Sequence, residues 1–174
     1  MRKLLERLAA TRALWVSGLA TLVLTLLFGA WIGLHDLHII DEIWREAAIR
    51  EVVDGMSAAQ RRAHVHMTLG LDIAYPFAYG SFLSGLAWRA WGRAWLAVPA
   101  LATIPFDLAE GAAQVALLSG HAEGAGEWGY AVKGVATPLK LGGFGLAVLL
   151  GLAAAAVMIW RRARGDAPRQ NEKP

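Results

Sequence analysis

From Ala13 to Leu34 the chain runs 22 residues without a charged side chain. At about 1.5 Å per residue, a helix of that length crosses a hydrocarbon core of about 30 Å. Lipid offers the backbone no hydrogen-bond partner, so such a segment has to be helical. Three further apolar windows follow, at roughly 66–88, 95–119 and 138–160. The expectation is therefore an all-α chain, with residues 1–160 forming one four-transmembrane-helix bundle. Composition agrees, with 56% hydrophobic and 18% charged residues over 174 positions. The absence of cysteine excludes disulfides, thiol relays, iron–sulfur clusters and cysteine-ligated zinc. Met1-Arg2-Lys3 ahead of the first span imitates a signal peptide. The apolar stretch is too long for one, however, and lacks a small-x-small cleavage site near Phe28–Trp31, so a retained anchor is expected.

Lysine and arginine orient the spans. Arg2, Lys3, Arg7 and Arg12 precede span one, Arg89 and Arg93 join spans two and three, and Arg161, Arg162, Arg164, Arg169 and Lys173 follow span four. These are 11 of the 17 basic residues, against four (Arg45, Arg50, Arg61 and Arg62) in the segment on the other side. The positive-inside rule then puts both termini in the cytoplasm and residues 35–63 outside. Trp15, Trp88, Trp91, Trp95 and Trp160 fall at inner boundaries, with Trp31 and Trp128 near outer ones. In the outer segment, Ile40, Ile43, Trp44, Ala47 and Val52 recur at helical spacing, which predicts an amphipathic helix over 40–54 lying on the outer surface and ended by Gly55. Ser57-Ala-Ala-Gln60 reads as a capping box that starts the next helix. The polar tail 161–174 reads as disordered.

The chemical signal is charge inside the spans. Asp72, Tyr75 and Tyr79 stand at i, i+3 and i+7, and Pro76 leaves the carbonyl of Asp72 without its helical donor. Thr103, Asp107, Glu110 and Gln114 make a second stripe beside Pro105. Lys133, Thr137 and Lys140 make a third beside Pro138. Counting from the inner tryptophans puts the acids in the outer half of the membrane, with Asp107 the deepest and Lys140 at the outer rim. Facing lipid, each acid would cost roughly 2.5–3.5 kcal/mol, so all should turn inward. Two readings stay open. In one the acids lock helices together, Asp72 or Glu110 pairing with Lys140; in the other they form a functional site, with Asp107 protonated or served by water.

His35, His38, His64 and His66 gather by sequence at the outer boundary, with His121 in the last outer loop. They could surround a divalent metal with Asp36 or Asp41, but no complete ligand signature is present. The simpler reading is interfacial histidines, with no metal and no cofactor. Gly142, Gly143 and Gly145 read as a close-packing face, as does the Ser17, Thr21, Thr25 stripe.

Leu71-Asp72-x-x-Tyr75-Pro76-x-x-Tyr79-Gly80, then Asp107-x-x-Glu110, then a lysine in the last span resembles a pattern of uncharacterised bacterial four-helix integral membrane proteins. Gly111 stands where that pattern leads one to expect asparagine. More distantly, length, four spans, intramembrane acids and a basic tail resemble the EXPERA family of sterol isomerases and sterol-binding proteins. The first resemblance implies a multi-pass protein of the bacterial inner (plasma) membrane. The second implies a lipid-soluble ligand.

Together these readings favour an outward-facing polar pocket for a small amphipathic or cationic ligand, with proton coupling as an option its acids allow, lined by Asp72, Tyr75, Tyr79, Asp107, Glu110, Gln114 and Lys140. The expected partners are the lipid bilayer and such a ligand, and not nucleic acid. An enzyme of the isomerase type would use Asp72, Asp107 or Glu110 as acid and base across a double bond. An assembly protein would pair the same charges with a partner span.

Overall fold

A computed structural model describes residues 1–119 and 122–165. Among these the chain is helical and has no strand. The elements are α1 (Arg2–Leu8), α2 (Thr11–His35), α3 (Glu46–Gly55), α4 (Ala58–Met67), a π-helical turn (Thr68–Asp72), α5 (Ile73–Trp91), a 3₁₀ turn (Ala94–Ala97), α6 (Val98–Leu118) and α7 (Ala122–Ala163). Three segments are long and apolar enough to cross a membrane: Thr11–His35, Ala94–Leu118 and Gly126–Ala163. The first and second match the expected windows to within a few residues. The helix over the 66–88 window is present, as α4, the π turn and α5 in unbroken succession. Its Asp72, two tyrosines, two serines and Arg89 make it the most polar of the long helices.

Two expectations need correction. The helix predicted over 40–54 begins only at Glu46. Ile40 is completely buried and clusters with Ile49, Val53, Met56, Leu117 and Leu118. The apolar periodicity therefore serves packing against the end of α6, and the residues before Glu46 turn back to reach it. The last helix starts not near 138 but at Ala122, and it continues through Ala163, three residues into the supposed tail. Pro138 is accommodated inside it. His121 and the tail from residue 166 lie outside the described residues.

Local chemistry fixes the joints. Ser57 Oγ accepts from the Gln60 backbone N–H at 3.2 Å, while Gln60 Oε1 accepts from the Ser57 N–H at 2.9 Å. The expected capping box is thus present. The Gln60 amide also donates to the carbonyl of Asp36, and the Trp31 indole donates to the carbonyl of Ala63. Both bonds tie the end of α2 to α4. At the opposite end, Arg161 donates to the carbonyl of Ala90 and Arg89 to the Thr11 hydroxyl.

There α1 folds back under the bundle. Leu5 is fully buried, and the backbone of Leu8 comes so close to Gly85 that a Cβ at 85 would lie 2.5 Å from the Leu8 carbonyl oxygen. Backbone cannot yield as a side chain can. Gly85→Ala should therefore cost about 1–3 kcal/mol, the usual range for overpacking. The measurement is the thermal unfolding midpoint in mild detergent, and an unchanged midpoint would mean that α1 does not seat there.

Candidate functional site

The centre of the molecule is an antiparallel contact between α6 and α7. As α6 runs from Thr103 to Leu117, α7 runs back from Gly143 to Gly129, 14 residues on each helix. Glycine stands at both ends of this ladder. A Cβ at 143 would lie 2.9 Å from Thr103 Cγ2, and one at 129 would lie 2.8 Å from Leu117 Cγ. Of the three glycines read as a packing face, Gly143 makes this approach, while Gly142 and Gly145 face open space. Small residues bring the two backbones close, and between them the charged stripes meet.

Glu110, 1% exposed, accepts from the Lys133 ammonium at 2.7 Å and from the Thr137 hydroxyl at 2.5 Å. Its other oxygen contacts Lys140. Lys140 also reaches Asp107 at 3.2 Å, and the Tyr79 hydroxyl donates to the second oxygen of Asp107 at 2.9 Å. Lys133 and Thr137 are fully buried. Two carboxylates, two ammonium groups and two hydroxyls thus form one connected network across α5, α6 and α7. Asp107, the acid expected to be protonated or water-served, has Tyr79 and Lys140 for partners.

The predicted residues divide. Asp107, Glu110, Lys140 and Tyr79 come together. Asp72 lies within electrostatic reach of Asp41, Asp107, Glu110 and Lys140, yet has no hydrogen bond or ion pair among the described residues. Tyr75 turns the other way. Its hydroxyl meets Thr25 at 3.1 Å, and its ring packs edge-on against Phe28 and Tyr79. Ser17, Thr21 and Thr25 bond mainly to carbonyls of their own helix. Gln114 is fully buried, with neither end of its amide bonded.

Four participants were outside the predicted pocket lining: Lys133, Thr137, Asp41 and His64. Lys133 and Thr137 stand on the same sequence stripe as Lys140, and the early start of α7 at Ala122 carries both into the network. Asp41 descends from the 36–45 segment to within 4.0 Å of His64 and within electrostatic reach of Lys133 and Lys140. His64 is fully buried.

The histidines weighed as metal ligands do not gather. His38 and His66 are exposed, and His35 stacks against Trp31 with ring centroids 4.6 Å apart. Among the described residues no group of three histidine or carboxylate side chains is placed to hold a metal ion. No family model, curated protein or solved structure compared with the chain gives a match, so the chemistry has to be read from these residues alone.

Proposed function

We propose that this is a multi-pass protein of the bacterial inner membrane that binds a small amphipathic cation in an acidic, outward-facing recess, with a proton displaced on binding. In this reading α2, the 58–91 helix, α6 and α7 are four spans, both termini are cytoplasmic, and α3 caps the outer end. The 11-to-4 split of basic residues and the tryptophans at both boundaries support that orientation.

The observation that carries the ligand is an excess of acid. Asp107 and Glu110 are answered by Lys133 and Lys140, whereas among the described residues Asp72 has no hydrogen bond or ion pair and Asp41 makes its one close ionic contact with His64, at 4.0 Å. An ionised carboxylate left unpaired inside a membrane protein costs several kcal/mol. A proton relieves that cost, and so does a ligand ammonium. The exposed apolar surface of the neighbouring helices would accommodate an alkyl chain beside it. A closed ion-pair lock would need no such excess.

Octylammonium is a suitable probe, with octanol as its uncharged counterpart. At ten times its dissociation constant a ligand selective for the folded state stabilises by about 1.4 kcal/mol. Octylammonium should therefore raise the thermal midpoint in nanodiscs well above any effect of octanol. Equal responses to both would remove the cation reading. Reporter fusions at Trp44 and after Pro174 should report opposite compartments, and the same compartment would remove the four-span topology.

A further inference from the structure

Among the described residues, six buried side-chain polar atoms have no hydrogen-bond partner, and five of them belong to His64, Thr68 and Gln114. The sixth, on Glu110, is the oxygen that meets Lys140. Native interiors rarely leave such groups bare, and where direct partners are missing ordered water usually supplies them.

The three residues form one patch. Thr68 follows His64 by one turn. Gly111 stands against Thr68, a Cβ there lying 3.2 Å from Thr68 Cγ2. The 58–91 helix and α6 run in opposite directions, so Gln114, one turn beyond Gly111, comes to the level of His64. Glu110 adjoins Gly111 and lies one turn the other way from Gln114. The patch thus leads from Asp41 and His64 toward the Glu110 carboxylate. It coincides with the π turn at Thr68–Asp72, a geometry that often marks functional positions.

Immediately outward, between α4 and the end of α6, lies a groove of about 490 Å³. Arg61, Arg62, Val65, His66, Leu118 and Ser119 line it. Leu118 is one turn beyond Gln114, and Val65 is next to His64.

We propose that this groove continues inward as a hydrated crevice past His64, Gln114 and Thr68 to Glu110, and that it is the path by which water and protons reach the buried network from the outer face. The lining suits protons rather than metal cations. Its inner part offers an imidazole, a hydroxyl and an amide, each able both to donate and to accept. Its mouth carries arginines that repel metal cations. Along such a file a proton is accepted at one atom as another leaves the next, so no oxidant or leaving group is required. The direction of this path rests on the topology proposed above.

The chain has no cysteine, so single introduced thiols report cleanly. The reagent is the sulfonatoethyl methanethiosulfonate anion, added from outside to membranes. It reacts with thiolate, which forms only where water has access. Thr68→Cys and Gln114→Cys should be labelled at least about tenfold faster than Ser84→Cys, which is fully buried on the far side of the network. Ser119→Cys at the mouth sets the upper rate. If both interior thiols react no faster than Ser84→Cys while Ser119→Cys is labelled, the crevice does not exist.

Hydroxyl-radical footprinting of the unaltered protein gives a second readout that needs no substitution. His64 should oxidise within a few-fold of the exposed His66, because radicals arise from adjacent water. Protection as deep as that of dry core residues would overturn the proposal. These outcomes are separable from those with octylammonium. A dry patch with intact amine binding removes the path alone, and a labelled crevice with no amine response removes the ligand reading alone.

Discussion

Glu110→Gln should lower the stability of the protein in detergent by about 3–5 kcal/mol, the range for a buried ion pair broken from one side. Lys133, completely buried, has Glu110 as its only ion-pair partner among the described residues, so the substitution strands its charge. The reverse change is milder. Lys133→Met leaves Glu110 bonded to Thr137 and paired with Lys140. Asp107→Asn likewise leaves Lys140 on Glu110 and keeps an oxygen for Tyr79. The double variant Glu110→Gln/Lys133→Met should recover most of the loss, because no unpaired ammonium remains. Denaturant titrations arranged as a double-mutant cycle measure this directly. Neutral hydrogen bonds between membrane helices average only about 0.6 kcal/mol. A Glu110→Gln loss of that size would mean that Lys133 does not carry a charge needing this carboxylate.

The same network explains how a lock and a site can share one set of acids. The α6–α7 ladder joins its charges at short range between glycine-supported contacts, which fixes Glu110, Lys133 and Lys140. Its remaining side faces Asp72 on the 58–91 helix and Asp41 on the segment before α3. Neither acid is bound into the ladder. Rigidity and an unsatisfied negative field therefore come from different members of one cluster. This is the arrangement a binding recess requires: anchored walls and a charge left for the ligand.

Much of this was legible in the sequence, for reasons that differ by residue. Asp107 and Glu110 could be grouped with Lys140 because acids in a span must turn inward. The start of α4 was legible because a capping box is a purely local device. Lys133 could be placed on one stripe with Thr137 and Lys140, but the apolar window near 138–160 begins after it and left it out of the pocket lining. In the fold, Gly129 serves a close helix contact, and Pro138 is absorbed within a 42-residue helix that already includes Lys133. Asp41 and His64 meet only through tertiary packing of the buried Ile40 segment, which no periodicity reveals. The stripe of Asp72, Tyr75 and Tyr79 assumed a regular helix. The π turn ending at Asp72 shifts its phase, so Tyr75 meets Thr25 while Asp72 stays beside the network.

Asp72→Asn should remove most of the stabilisation by octylammonium, whereas Asp107→Asn should retain most of it. Both changes replace an ionisable carboxyl by an amide of the same shape, so they differ only in what each carboxyl already does. Asp107 is engaged by Lys140 and Tyr79, and much of its field is neutralised locally. Asp72 has no such partner, and its field is available to an incoming ammonium. At 4 Å and an effective dielectric constant of 20, a unit pair interacts by about 4 kcal/mol. Even a third of that lowers affinity about tenfold. Octylammonium titrations of the three proteins in nanodiscs, read by thermal midpoint, should therefore rank wild type first, Asp107→Asn close behind and Asp72→Asn last. If the two variants lose affinity equally, the ligand senses only the net charge of the cluster. If Asp107→Asn alone loses it, the recess lies on the Lys140 side, and Asp72 is not the carboxylate that receives the ligand.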